Sequence, residues 1–365
     1  MIYYLIFNDT FTLHIRVAML VKKSIIFIFS ASFPIFLYIF WEGCKPEKKG
    51  PDISGISLSI NADRFEKDLF NTDSIHSDQG LGYLKNKYGN FFNLFAFQIT
   101  SLGSQDSILM AEKFSSFIND SNFRNIYKDC ENIYGDFSTK NAGLTKAFRY
   151  YAYYFPQKNI PRIVTMMSGF SFPIICDSLN LGIGLDMYLG PAYKYYSTLE
   201  PPLPNYLRSR MHGNYMICNA MKGWAESDYG IDESSARMID FMISQGRILY
   251  YLEKIIPDAP DTIISEYSAE QLAWCKVNEK KIWSFFIDNK LLFSFDPNLM
   301  NKYVSDGPTT NGFPKESPGN IGKYIGWQIV RSFMMNHSNV SLQQLLEEKE
   351  LIKIFNESKY KPERN

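Results

Sequence analysis

Apolar and polar positions alternate with several different periods along this chain, and the period identifies the elements. Between Ile53 and Phe65 the residues Ile53, Ile56, Leu58 and Ile60 alternate with small or polar ones, and Ile56–Ile60 fits a half-buried strand. From Ile75 to about Ser101 the spacing becomes three to four, with Leu81, Leu84, Tyr88, Phe91 and Phe92 on one face, which predicts a helix. Three more helices are expected at Ser104–Ile118, Ser121–Tyr134 and Ser138–Phe155. The period then shortens. Residues 160–170, 172–180 and 181–190 are short β-rich runs separated by Gly or Ser-Leu-Asn turns, and they read as an antiparallel meander. Beyond Tyr193 the helical period returns, with helices at about 204–226, 233–256, 268–292 and 319–336. Ser268 with Gln271 three residues later forms a capping box. The predicted class is α+β, mostly helical with a small antiparallel sheet.

The first fifty residues follow a different rule. Lys22 and Lys23 precede the apolar run Ser24–Trp41, which stops at Gly43-Cys44. A short basic region, an apolar stretch and a small residue are the parts of a secretory signal. Residues 1–18 add nothing to that pattern, so Met19 is the expected start. The arrangement resembles a bacterial lipoprotein signal over residues 1–43, with Cys44 as the acylated first residue of the mature chain. Trp41 and Glu42 depart from the usual residues there. An uncleaved anchor is the alternative, since the run has nearly the length that crosses a bilayer. Residues 44–52, rich in Lys, Pro and Gly, read as a tether, and one domain is expected over 53–365. That tether lacks an acidic stretch, which favours a periplasm-facing protein.

Composition narrows the function. The chain has 365 residues, 45% hydrophobic, with 24 Tyr, 29 Phe and a net charge of zero, enough apolar material for a real core. No basic stripe points to nucleic acid. Cys130, Cys176, Cys218 and Cys275 contain no CxxC pair, so no zinc ribbon is expected, and one disulfide is left open. There is no HExxH, GxSxG, phosphate loop or GxGxxG. His212 is placed on the helix after the sheet, but Gly213 and Met216 stand where a zinc helix needs Glu and a second His; two ligands at i and i+4 are required. No metal or cofactor is therefore expected. Asp186 falls at a strand end, as a site residue or a cap. Gly322 and Gly326 share one helical face, which predicts a close helix crossing. Arg331, one turn further on, is expected to pair with Asp186 or Asp240, with Arg64 a weaker member of the same cluster. Asp186, His212, Asp240 and Arg331 thus form a candidate polar cluster. Tyr188, Trp274, Trp283 and Trp327 are candidate rims of a groove or interface.

Several stretches together resemble the gliding-motility lipoprotein GldB family of the Bacteroidetes: 60–70, 183–191, 238–258, 267–296 and 322–334, with Trp274, Glu279, Trp283, Gly326, Trp327 and Arg331 in one order, behind the lipoprotein-like cysteine. The resemblance implies a lipid-anchored envelope protein needed for gliding and the associated secretion machinery, working through protein partners and without a known catalytic activity. It also implies a distant relation to zincin-like metallopeptidase folds. Residues 242–252 are similar to a helix that carries Glu-Gly in such enzymes; here Gln245 precedes Gly246. Two rival readings are an envelope hydrolase using Asp186, His212 and Asp240, and a peptide- or glycan-binding module.

Overall fold

A computed structural model describes residues 50–71, 78–232 and 235–362. The apolar run and Cys44 lie outside the described residues. Asp52–Asn365 form one compact unit.

The chain enters through an extended segment and a two-residue strand β1 (Asp63–Arg64) that leads into helix α1 (Phe65–Asn71). Helices α2 (Asp78–Tyr88) and α3 (Asn90–Leu94) follow. Then come α4 (Ser107–Asn119), α5 (Ser121–Tyr134) and α6 (Ser138–Tyr154). Strands β2 (Arg162–Met166), β3 (Ile174–Cys176) and β4 (Asn180–Gly184) complete the sheet. The rest is helical: α7 (Asn205–Arg208), α8 (Met216–Tyr229), α9 (Met238–Ile255), α10 (Asp261–Ser265), α11 (Ala269–Asp288), α12 (Pro297–Tyr303), α13 (Ile321–Asn336), α14 (Leu342–Glu347) and α15 (Leu351–Ser358). The class is α+β and mostly helical, as the periodicity predicts.

The sheet is mixed, which corrects the antiparallel meander. Its order is β1-β2-β4-β3, with β1 parallel to β2, β2 parallel to β4, and only β3–β4 antiparallel. Strand β4 is inserted between β2 and β3, and Gly182 faces Val164 on one side and Ile175 on the other. A Cβ on Gly182 would lie 2.5 Å from the Ile175 side chain and 2.9 Å from Phe91, so a larger residue there would lift Phe91 off the sheet.

Ile56–Ile60 is extended but joins no strand. Its backbone is taken by one face of α6: Ile60 N donates to Thr145 Oγ1 (2.9 Å), Ala62 N to Asn141 Oδ1 (3.1 Å), and Leu58 O accepts from Arg149 Nε (3.0 Å). These i, i+4, i+8 side chains replace a neighbouring strand as the source of hydrogen bonds. The long helix expected over 75–101 is interrupted at Gly89, whose φ of +53° suits glycine. The helix expected at 204–226 is also divided. Only 205–208 and 216–229 are helical; His212 lies between them, in a bridge to Leu189. By contrast Ser121–Tyr134 is helical over the expected span, started by Asp120, whose side chain accepts from Asn122 N and Phe123 N. The Ser268–Gln271 capping box is formed in both directions at about 3.1 Å.

Two packing centres organise the core. Phe65 at the start of α1 meets Tyr88 (4.8 Å), Phe91 (5.6 Å) and Phe95 (4.7 Å) edge-on, fixing the N-terminal helices to the sheet. Helix α8 lies between the sheet and α9, with Gly223 against Ile174. Helix α9 in turn crosses α13 through glycines on both helices: a Cβ on Gly246 would meet the Gly326 carbonyl at 2.3 Å, and one on Gly326 would sit 1.7 Å from Met242 O. The close crossing anticipated from Gly322 and Gly326 is present, and Gly246 is its partner.

Candidate functional site

The residues singled out from the sequence go to separate places. Asp186 is fully buried in the turn after β4. Its Oδ1 accepts from Ser168 N (2.9 Å) and its Oδ2 from Phe170 N (2.7 Å), so the carboxylate ties down the loop that follows β2. Burial raises its pKa, and the hydrogen bonds from the Ser168 and Phe170 backbones work against that rise. Asp240 takes both nitrogens of the Arg237 fork (2.7 and 2.9 Å) at the start of α9. Arg331 pairs with Glu253 (2.6 Å), not with Asp186 or Asp240, and its guanidinium stacks 3.8 Å from the centre of the Trp327 ring. His212 sits half-buried against Tyr215, and its pKa is lowered by burial and then by Lys140. Arg64 joins Glu66 and Glu131 beside β1. The expected polar cluster is therefore four separate structural arrangements. Asp186, His212 and Asp240 share no hydrogen bond or ion pair.

The aromatic candidates divide in the same way. Trp327 and Tyr188 are buried, so they pack the core rather than rim a groove. Tyr188 also receives a hydrogen bond from Tyr134 at its carbonyl (2.5 Å) and from Asn219 at its hydroxyl (3.2 Å). Trp274 and Trp283 are half-buried: Trp274 lies edge-on to Phe313, and Trp283 packs on Phe355 and Tyr360 of the C-terminal segment.

A dense group of charges that no sequence pattern marks lies elsewhere among the described residues. Glu266, at the end of α10 with φ +60°, is shared by Lys222 Nζ (3.1 Å), Lys323 Nζ (3.4 Å) and Arg210 (3.7 Å). Arg210 reaches on to Asp306 at 3.0 Å. The Glu266 and Lys323 side chains are 9% and 4% exposed, so this is a buried ionic network. Burial alone would raise the pKa of Glu266, but Lys222, Lys323 and Arg210 together hold it at about 2. Lys323 is less well placed. Burial pushes its pKa down, and the attraction of Glu266 is opposed by Lys222 and Arg210. One anion shared among three cations explains both directions. Lys323 also lies over the Tyr267 ring at 4.9 Å.

This network lines a cavity of about 330 Å³, with Lys222 and Glu226 from α8, Gln245 from α9, Asp306 from the loop after α12, and Lys323 from α13. Gln245 donates its Nε2 to Val304 O (3.2 Å), leaving its buried Oε1 without a hydrogen-bond partner. Glu226 forms no ion pair within 4 Å among the described residues. The network draws on five separate segments, and no local spacing marks it. Elsewhere, Arg247 donates to three carbonyls at the end of α14 (Leu345, Leu346 and Glu348), a structural use of a buried cation. Among the described residues no three His, Cys, Asp or Glu side chains converge as a metal site. The four described cysteines are free thiols.

These features define a helix-dominated α+β domain in which buried charges hold separate segments together beside a polar cavity. Residues 46–362 match the family model described as gliding motility protein GldB, and the chain belongs to that family. The family description names motility rather than a reaction. No curated protein and no solved structure matches the chain, so the metallopeptidase relation gains no support from comparison.

Proposed function

We propose that the protein is an envelope lipoprotein, anchored through Cys44 and facing the periplasm, that serves the gliding and associated secretion machinery through protein–protein contacts. The observation that carries this reading is the family match over 46–362, nearly all of the chain that follows Cys44. No helix among the described residues is long and apolar enough to cross a membrane, so attachment through the N-terminal segment accords with the rest of the chain. The partnering of Asp186, Asp240 and Arg331 within the fold favours contact over catalysis. Ile287, Phe293 and Phe295, at the end of α11 and just after it, are 47%, 54% and 61% exposed and offer apolar surface for a partner.

Affinity purification from detergent-solubilised native membranes tests the reading, with co-purifying proteins identified by mass spectrometry. A stoichiometric envelope partner that is lost in Phe293→Asp/Phe295→Asp, with thermal stability unchanged, is the expected result. A partnerless protein, in cells that glide normally without it, overturns the reading. Cys44→Ala should abolish acylation and leave the apolar segment uncleaved; normal acylation of that variant overturns the anchor.

A further inference from the structure

The cavity beside Glu266 holds complementary polar groups that the protein leaves unused. Lys222 and Lys323 each carry three N–H donors and each donates one hydrogen bond within the protein, both to Glu266 Oε2. On the same wall, Gln245 Oε1 is a buried acceptor with no partner, and at the solvent-exposed rim Glu226 is a carboxylate with no ion pair among the described residues. Ile248, Leu249 and Val304 supply apolar lining. Spare cationic donors, spare anionic or carbonyl acceptors and an apolar wall therefore meet in one space.

We propose that this cavity binds a small zwitterion carrying an ammonium and a carboxylate, a free amino acid or a dipeptide. The ligand's carboxylate accepts from Lys222 and Lys323. Its ammonium donates to Glu226 and Gln245 Oε1, and an aliphatic side chain covers Ile248 and Leu249. A plain anion would satisfy the lysines but would face the Glu226 carboxylate, and a plain cation would face both lysines. A ligand with both charges meets the lysine donors, Gln245 Oε1 and the Glu226 carboxylate together. The volume, about 330 Å³, lies at the lower end of the range of roughly 300–1,000 Å³ for small-molecule pockets, as a ligand of one or two residues requires. Gln245 is held by its bond to Val304 O, so its acceptor is positioned before the ligand arrives. This site is separate from the partner contacts proposed above, and either can fail without the other.

Titration calorimetry on the full-length lipoprotein in detergent tests the proposal, with L-alanyl-L-leucine, its N-acetyl form, its C-terminal amide, leucine and inorganic phosphate as probes. One equivalent of alanyl-leucine or of leucine should bind, and whichever binds more tightly identifies the occupant as dipeptide or amino acid. Each blocked form should bind at least about tenfold more weakly, the loss expected for one charge-assisted hydrogen bond. Glu226→Gln should weaken the free dipeptide by a similar factor and leave the N-acetyl form unaffected. Gln245→Leu is the second variant, expected to act in the same direction, should the first not fold. No binding of either zwitterion, equal binding of free and blocked forms, or binding of phosphate alone overturns the proposal.

Discussion

The α9–α13 crossing allows one substitution to be worked through. In Gly326→Ala the new Cβ lies 1.7 Å from Met242 O and 2.3 Å from Met242 C, on the backbone of the facing helix. No rotamer change relieves a backbone contact, so the helices must part by more than an ångström. A gap of 0.5–1 Å already forfeits about a quarter to a half of each van der Waals contact along the seam. Fully buried residues such as Met242, Ile243, Ile325 and Ile329 flank it. Overpacking in cores costs about 1–3 kcal/mol and occasionally more; a clash of backbone on backbone belongs at the upper end. Alanine returns about 1 kcal/mol through helix propensity, leaving a net loss of roughly 2 kcal/mol or more. For a domain somewhat larger than 250 residues this lowers the melting temperature by several degrees, at about 2–4 °C per kcal/mol. Gly82→Ala in α2 is the control, because its Cβ meets nothing within 4 Å; there the propensity gain stands alone and stability should rise. Thermal unfolding followed by circular dichroism reads both. A Gly326→Ala protein that melts at or above the wild-type temperature would refute the close crossing.

The remaining predictions concern buried charge. Glu266→Gln leaves Lys222, Lys323 and Arg210 without their shared anion and should cost about 3–5 kcal/mol, whereas Lys323→Met removes the most strained cation and should stay within about 1 kcal/mol of wild type; urea denaturation of both variants and the double mutant measures the difference. Because the pKa of Glu266 falls from an unfolded value near 4.5 to about 2 on folding, its stabilisation is fully present above pH 4.5 and is lost as pH falls through about 2. That stabilisation is of order 3 kcal/mol, and acid unfolding of Glu266→Gln should lack the corresponding loss. Asp186→Asn offers one acceptor oxygen where two backbone N–H groups need one each, so it should cost about 1–3 kcal/mol. Gliding should then decline in proportion to protein level in the membrane; loss of gliding at a normal level would point instead to a direct role for Asp186.

Local rules made part of this fold readable before any coordinates. Ser268 with Gln271 and the glycines of α13 act through neighbours three or four residues away, within the reach of a sequence pattern. The order of the sheet is a different matter. β4 enters between β2 and β3 through pairings that no local pattern specifies, and Ile56–Ile60, which alternates like a strand, is bonded by side chains of α6 instead. His212 failed as a helical residue for a similar reason. Met211 O is taken by Gly190 N (2.9 Å) and His212 bridges Leu189, so that stretch is bound sideways before the helix can start. The position of Arg331 one turn beyond the glycines signals a cation in need of an acid but not which one: Glu253 on the crossing helix lies nearest, at 2.6 Å, with Asp261 at 3.6 Å.

The Glu266 network shows why such charge is hard to foresee and what it does for the fold. Its members come from the loop after α7, from α8, from the end of α10 and from α13, and each alone looks like an ordinary surface residue. Burying them is costly unless every charge is answered. Geometry satisfies most of this demand: Glu266 answers three cations and Asp306 helps with Arg210. What is left over falls on one wall: the buried Gln245 Oε1, the free donors of the two lysines, and beside them the exposed carboxylate of Glu226. The Glu266 network opens on a cavity, and stability accounts for Glu266 and Arg210 but not for the unpartnered Gln245 Oε1. Comparing Glu226→Gln with Glu266→Gln separates the two roles: loss of stability should follow Glu266, and loss of ligand binding should follow Glu226.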